Sequence, residues 1–167
     1  MHYPYRRIVT GLDANGKSVI LFDDDKGFET AGDVTSVALL WQSKEVPVDN
    51  SGLADMADEG FSFAFAQGGT KCILVDVQPS DGLMPPGMHA TDTLDYLVVI
   101  HGRLTLHVEG AEVEAGPGDV VVNRGNLHAW RNKGPEVARM LVINVDAAPV
   151  GGGATYFGGN AALESSG

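Results

Sequence analysis

The sequence predicts an all-β domain, a sandwich or jelly-roll barrel of short antiparallel strands. Three observations predict it. Glycine (22 residues) and proline (8 residues) punctuate the 167-residue chain at short intervals. The runs between them are brief and rich in Val, Ile, Leu and Phe, with no sustained helical period. From Phe61 onward these runs follow one another at close, regular spacing, which is the pattern of a sheet closed or stacked on itself. The length is that of one domain with a core of its own.

In chain order, Arg6–Val9 and Ser18–Phe22 form a hairpin across a turn containing Asn15-Gly16, and Ser36–Trp41 is a further strand or edge segment. The acidic, aperiodic stretches 24–33 and 44–60 are surface loops with room for one short helical turn. Strands are then expected at Phe61–Phe65, Lys71–Val77, Leu94–Ile100, Arg103–Val108, Ala111–Glu114, Asp119–Asn123, Leu127–Arg131 and Ala138–Val145. This divides a single domain into N-terminal strands and loops (1–60) that pack on the barrel or on a partner subunit, the barrel (61–147), and a Gly-rich tail (148–167) anchored only by Tyr156-Phe157.

Composition narrows the function. A formal net charge of −11 and the lack of a basic run disfavour nucleic acid and anionic membranes, so a small-molecule partner is expected. No apolar run approaches the roughly 18 residues of a membrane helix. The start, MHYPYRRIVT, carries no apolar signal core, so a cytoplasmic protein is expected. The single cysteine, Cys72, supplies neither an internal disulfide nor a multi-thiolate centre, which leaves nitrogen and oxygen as the donors for any metal.

The chemistry concentrates in two segments. In an extended run from His89, side chains alternate, so His89, Thr91, Thr93 and Asp95 share one face and Tyr96, Val98 and Ile100 take the other. That second face is apolar for a surface, which predicts cover by the N-terminal strands or by a second subunit, hence a homodimer. Downstream, Pro117-Gly118-Asp119 opens a buried strand, Gly125 marks a tight turn, and His128 and Trp130 share a face that can look into the same cavity. An acid heading the apolar strand 96–100 must be compensated, because an uncompensated buried carboxylate costs several kcal/mol. Thr91 and Thr93 are either plain strand formers or hydroxyls that bond a substrate or Asp95, and Trp130 is either core filler or an aromatic wall of the pocket. His101 and His107, at and after a hairpin turn, are expected at the solvent side or an interface, and Arg131 points away from the cavity into a surface ion pair. Met84 and Met88 flank the entry as adaptable packing.

These two segments resemble the two consensus motifs of the cupin superfamily. The first has His-x-His, three or four residues, an acid, six residues and Gly. Here His89 matches its first histidine, Thr91 stands at the second, Asp95 replaces the usual Glu, and Gly102 follows at the family spacing. In the second motif, Gly118, Gly125, His128 and Asn132 match, with the loop one residue shorter and no proline at the turn. The run His-x-Thr-x-Thr-x-Asp-Tyr is also similar to a cupin subgroup of bacterial proteins and fungal biosynthetic-cluster enzymes. The resemblance implies a double-stranded β-helix barrel with extra N-terminal strands and one internal site. The family's site holds a divalent metal with three histidines and a glutamate. With Thr91 in place of one histidine, His89, Asp95 and His128 remain as a two-imidazole, one-carboxylate set suited to Fe, Mn, Ni or Zn, with no organic cofactor expected.

Three readings follow. The first is a metal-dependent enzyme acting on a carbonyl, enol or aromatic substrate by oxygenation, decarboxylation, dehydration or isomerisation. In the second, Asp95 or His128 removes a proton and His89 returns it without a metal. The third is a non-catalytic small-molecule-binding barrel.

Overall fold

A computed structural model describes residues 3–80 and 87–150; Met84, the Pro85-Pro86 turn and the tail with Tyr156-Phe157 lie outside the described residues. The described residues form eleven strands: β1 (Arg7–Leu12), β2 (Ser18–Asp24), β3 (Glu29–Thr30), β4 (Thr35–Ser43), β5 (Thr70–Val77), β6 (Thr93–His101), β7 (Leu104–Val108), β8 (Ala111–Ala115), β9 (Val120–Asn123), β10 (His128–Arg131) and β11 (Ala138–Asp146). A six-stranded sheet runs β3-β4-β5-β11-β6-β9, a three-stranded sheet runs β10-β7-β8, and β1-β2 form a separate hairpin. The two larger sheets enclose a core of Val37, Leu39, Val75, Leu97, Leu104 and Val142. This is the jelly-roll barrel anticipated by the close strand spacing. No helix among the described residues is long and apolar enough to cross a membrane.

The first 60 residues do more than flank the barrel, because β4 is an inner strand of the large sheet, paired with β5 along its length. The two-residue β3 within the acidic stretch 24–33 has no counterpart in the sequence reading, and the possible helical turn is a hydrogen-bonded turn in which Asp58 N donates to Asp55 O and Gly60 N to Ala57 O. One expected strand is absent: 61–65 pairs with no neighbour. The carbonyls of Ser62 and Ala64 are taken by the ammonium of Lys71, and the Phe61 and Phe63 rings meet edge to face with centroids 4.9 Å apart. Acceptors committed to a side chain cannot also join a ladder.

In β4 the register slips between Leu39 and Trp41, leaving Leu40 as an extra residue. The Leu40 carbonyl accepts from Arg7 Nη1 at 3.1 Å, and the same buried guanidinium is clamped by Asp24 and Asp55. A second guanidinium ties the N-terminus to the outer side of the sheet. Arg139 and Asp76, opposite one another on β11 and β5, form a two-pronged pair at 2.6 and 2.8 Å, and Arg139 Nη1 donates to Tyr3 O. The aromatic faces of Tyr5 and Phe28 lie over it. Among the described residues these contacts do not reach the far end of the sheet. Tyr96, Ile100, Val120, Val122 and Ile143 remain exposed on β6, β9 and β11.

Candidate functional site

The segment that leads into β6 meets β10 at a single antiparallel bridge. His89 N donates to His128 O and His128 N to His89 O, both at 2.9 Å. A pair that exchanges both hydrogen bonds puts its two side chains on one face. The imidazole centroids accordingly lie 4.5 Å apart, with their planes tilted by 50°. Gly125 makes this approach possible. Its φ of +76° suits glycine, and a Cβ there would lie 2.7 Å from the Thr91 carbonyl oxygen.

Asp95 lies on the inward face of β6, 4% exposed. Its compensation comes from two asparagines. Asn144 Nδ2 donates to Oδ1 at 2.6 Å and Asn123 Nδ2 to Oδ2 at 3.2 Å. Asn123 also reaches the His128 ring, at 3.1 Å from Nδ1 and 3.3 Å from Nε2, so its amide links carboxylate to imidazole. The Asn126 carbonyl, 2.9 Å from His128 Nδ1, assigns the proton to that nitrogen, so Nε2 keeps the lone pair and is the ring atom that accepts from the Asn123 amide. His89 Nδ1 similarly faces the Gly87 carbonyl at 3.2 Å.

Register extends this arrangement across the sheet. Asn123, Asp95, Asn144, Lys71 and Gln42 stand directly opposite one another on β9, β6, β11, β5 and β4, so one row of polar side chains crosses an otherwise apolar interior wall. Asn123, Asn144 and Lys71 belong to the site region although the sequence reading does not single them out. Their signal is compositional, since Asn and Lys are depleted in strands; Asn144 interrupts the apolar run of β11, Asn123 ends β9 and Lys71 stands near the start of β5.

The other expected residues divide. Thr91 and Thr93 bond each other, hydroxyl to hydroxyl at 2.7 Å, with Thr93 buried. Trp130 packs against the core, and its indole Nε1 is buried with no partner among the described residues. Asn132, matched to the second motif, serves the fold. It is 1% exposed, and its amide donates to the Val77 and Glu136 carbonyls. His101 is half-exposed beside the Tyr3 ring and away from the site. His107 also faces away from His128, but it is buried rather than solvent-facing. It occupies the middle strand of the small sheet, between Ala129 and Glu112, with Nδ1 2.8 Å from Glu112 Oε1.

The donor chemistry of two imidazoles and a carboxylate suits a divalent ion, but the arrangement does not assemble them as a three-ligand centre. Both Asp95 oxygens accept amide protons, the Asn123 amide bridges Asp95 to His128, and among the described residues no three His, Cys, Asp or Glu are grouped to hold an ion.

Burial, and after it the neighbouring His89, hold the His128 imidazole below its ordinary pKa, against the opposing pull of the Asn126 carbonyl and of Asp95. The folded protein therefore keeps a neutral ring where the unfolded chain takes up a proton, at and below about pH 6.5. Within that window the unfolded state binds more protons, so stability rises with pH and is lost on acidification. Urea melts should show a midpoint that falls from pH 7 to pH 5, with a shallower fall in His128→Ala; equal slopes would remove His128 as the cause.

Similarity to known proteins bears on the fold that holds these residues. The family model described as the cupin domain matches residues 73–144, the stretch that contains both histidines and Asp95. The chain carries a cupin domain over residues 73–144. The cupin domain of Cnp3 from Schizosaccharomyces pombe superposes with a TM-score of 0.51 at 12% identity, covering 86% of this chain and 89% of that one, which supports the fold. In sequence, this cupin is 29% identical to phomopsin biosynthesis cluster protein D of Diaporthe leptostromiformis, across 86% of its own length and 79% of the relative's. It is 28% identical to the cupin-domain-containing oxidoreductase srdB of Neurospora crassa, over 86% of this chain and 74% of that protein.

Proposed function

We propose that this cupin is an enzyme that moves a proton on a small carbonyl- or enol-bearing molecule held in the barrel, as an isomerase or dehydratase. The observation that carries the reading is the buried His128 ring, its Nδ1 proton directed to Asn126, its Nε2 left unprotonated, and the His89 ring 4.5 Å away between centroids. A neutral imidazole in a dry site is a competent general base at neutral pH. His128 takes the proton next to the carbonyl at Nε2, the charge of Asp95 favours the resulting imidazolium, and the proton passes to the neighbouring His89, which delivers it at the second position and leaves both rings neutral. Thr91, Thr93 and Trp130 border the substrate.

The test is deuterium uptake from D2O into a panel of β-diketones and β-keto acids, followed by NMR. Wild-type uptake should exceed buffer, collapse in His128→Ala, and survive treatment with a chelator. Uptake no faster than buffer across the panel defeats the reading.

The imidazole orientation favours a second reading, a divalent Fe, Mn, Ni or Zn ion held by His89 and His128, which Asp95 joins by exchanging an asparagine partner for the ion. Both Nδ1 atoms face backbone carbonyls, the arrangement that fixes metal-binding histidines, and the Neurospora relative is named an oxidoreductase. Loss of activity on chelation, restored by one of these ions, would establish it in place of the first.

We further propose that the exposed apolar face pairs with a second copy of the chain. Ile143, Tyr96 and Val122 form one cross-strand row on it, and β9 is the open edge of the sheet. Light scattering should give twice the chain mass, and Val122→Glu should halve it; a monomeric wild type excludes the dimer. A cytoplasmic location belongs to the same reading and rests on the unpaired Cys72.

A further inference from the structure

The polar row that includes Asp95 contains a cation for which the proposed chemistry has no use. Lys71 is 6% exposed, on the same face of β5 as the core residues Ile73, Val75 and Val77. Its ammonium donates to the carbonyls of Ser62 and Ala64 and lies over the Phe61 and Phe65 rings, 5.7 and 5.2 Å from their centroids. All of these partners are neutral. Among the described residues no carboxylate pairs with it, although a buried charge ordinarily has an opposite one. An ammonium has three protons, and the two carbonyls engage two.

A cavity of about 260 Å³ opens beside it, lined by Lys71 and Phe65 with Gln42, Ser43, Glu59 and Thr70 among others. The carboxylate in that lining is already engaged. Glu59 accepts from Lys44 Nζ at 2.6 Å and from Gln42 Nε2 at 2.8 Å. Lys44 and Glu59 offset one another, so Lys71 leaves the cavity with a net positive charge in a chain whose net charge is −11. Burial lowers the affinity of Lys71 for its proton, as expected of a cation short of an anion.

We propose that this cavity is a second ligand site, in which Lys71 binds the acid group of a small aromatic carboxylate and Phe65 borders its flat body. The volume is below the roughly 300–1,000 Å³ of drug-sized pockets, which favours a compact acid. The cavity lies at the opposite end of the row from His128, and Lys71 and Asp95 are two strands apart, about 10 Å between backbones at the usual strand spacing. The site therefore stands whether or not the barrel histidines move a proton.

Benzoate is the probe, with benzamide as its neutral counterpart, titrated into the full chain at pH 7 by calorimetry and by amide-shift NMR. Benzoate should saturate the wild type, with benzamide roughly tenfold weaker or more, as expected for a charge-assisted hydrogen bond. Lys71→Met should weaken benzoate by a similar factor, and Lys71→Arg, which keeps the charge, should retain binding within about threefold. Should the methionine variant not fold, Lys71→Gln, which still donates to the carbonyls, reads the same loss. His128→Ala should leave benzoate binding unchanged, separating this site from the proton-transfer proposal. No saturation in the wild type, equal binding of benzamide, full binding by the uncharged variants, or loss in His128→Ala would each overturn the assignment.

Discussion

Replacing Arg139 with Leu should destabilise the protein by about 3–5 kcal/mol, the cost of breaking a buried ion pair by removing one partner. The argument rests on burial. Arg139 is 3% exposed and Asp76 0%, and two hydrogen bonds at 2.6 and 2.8 Å join them across β11 and β5. Without the guanidinium, the Asp76 carboxylate remains under the sheet without its counter-ion, and Tyr3, Tyr5 and Phe28 lose the group that holds the N-terminal segment down. A domain of this size has roughly 5–15 kcal/mol in total, so the variant should be close to unfolding at ambient temperature. Changing both partners, Asp76→Leu with Arg139→Met, should recover most of the loss, because neither charge is then stranded. Urea titration measures both. A single variant within about 1 kcal/mol of wild type would mean that water reaches Asp76 and that the N-terminal segment is not what seals it.

The second large effect is on chemistry. His128→Ala should slow deuterium uptake by a factor of about 10²–10⁴, the usual contribution of a positioned general base. Two features set this expectation. The Asn126 carbonyl holds the imidazole in one tautomer, so no reorientation precedes proton transfer, and the 4% exposure of the ring keeps water from competing with Nε2. Asn123 is unchanged by the substitution and cannot replace the base, because its amide has no basic nitrogen, and both Asp95 oxygens are engaged by asparagine amides. A loss of less than tenfold would move the proton transfer to His89 or Asp95.

The strands from Thr70 to Asp146 were legible because each is a short apolar run between turns, and alternation alone separated the Asp95 face from the Tyr96 face. The meeting of His89 with His128 followed from the same alternation together with the motif resemblance. Pairing partners and register were not legible, since a period of two gives the face of a residue but not its neighbour across the ladder. Asn123 and Asn144 escaped notice for that reason; each is an unremarked strand residue until its register places it against Asp95. Lys71 looks like the polar first residue of a strand, a place where long side chains usually reach solvent. Its inward course also accounts for the missing strand at 61–65, where apolar composition promised a ladder that the lysine removes.

The extra residue in β4 ties the outside of the molecule to its inside. Before it, Leu39 is opposite Ile73; after it, Trp41 is opposite Cys72 and Gln42 opposite Lys71. The parity of the strand changes at Leu40, and it is the Leu40 carbonyl that Arg7 holds. Were β4 paired regularly through Leu40, Leu40 would stand opposite Cys72 and Trp41 opposite Lys71, turning the indole inward and Gln42 outward and replacing an amide beside the lysine with a bulky ring. An N-terminal arginine that never enters the barrel thus helps determine which side chains a guest there would meet.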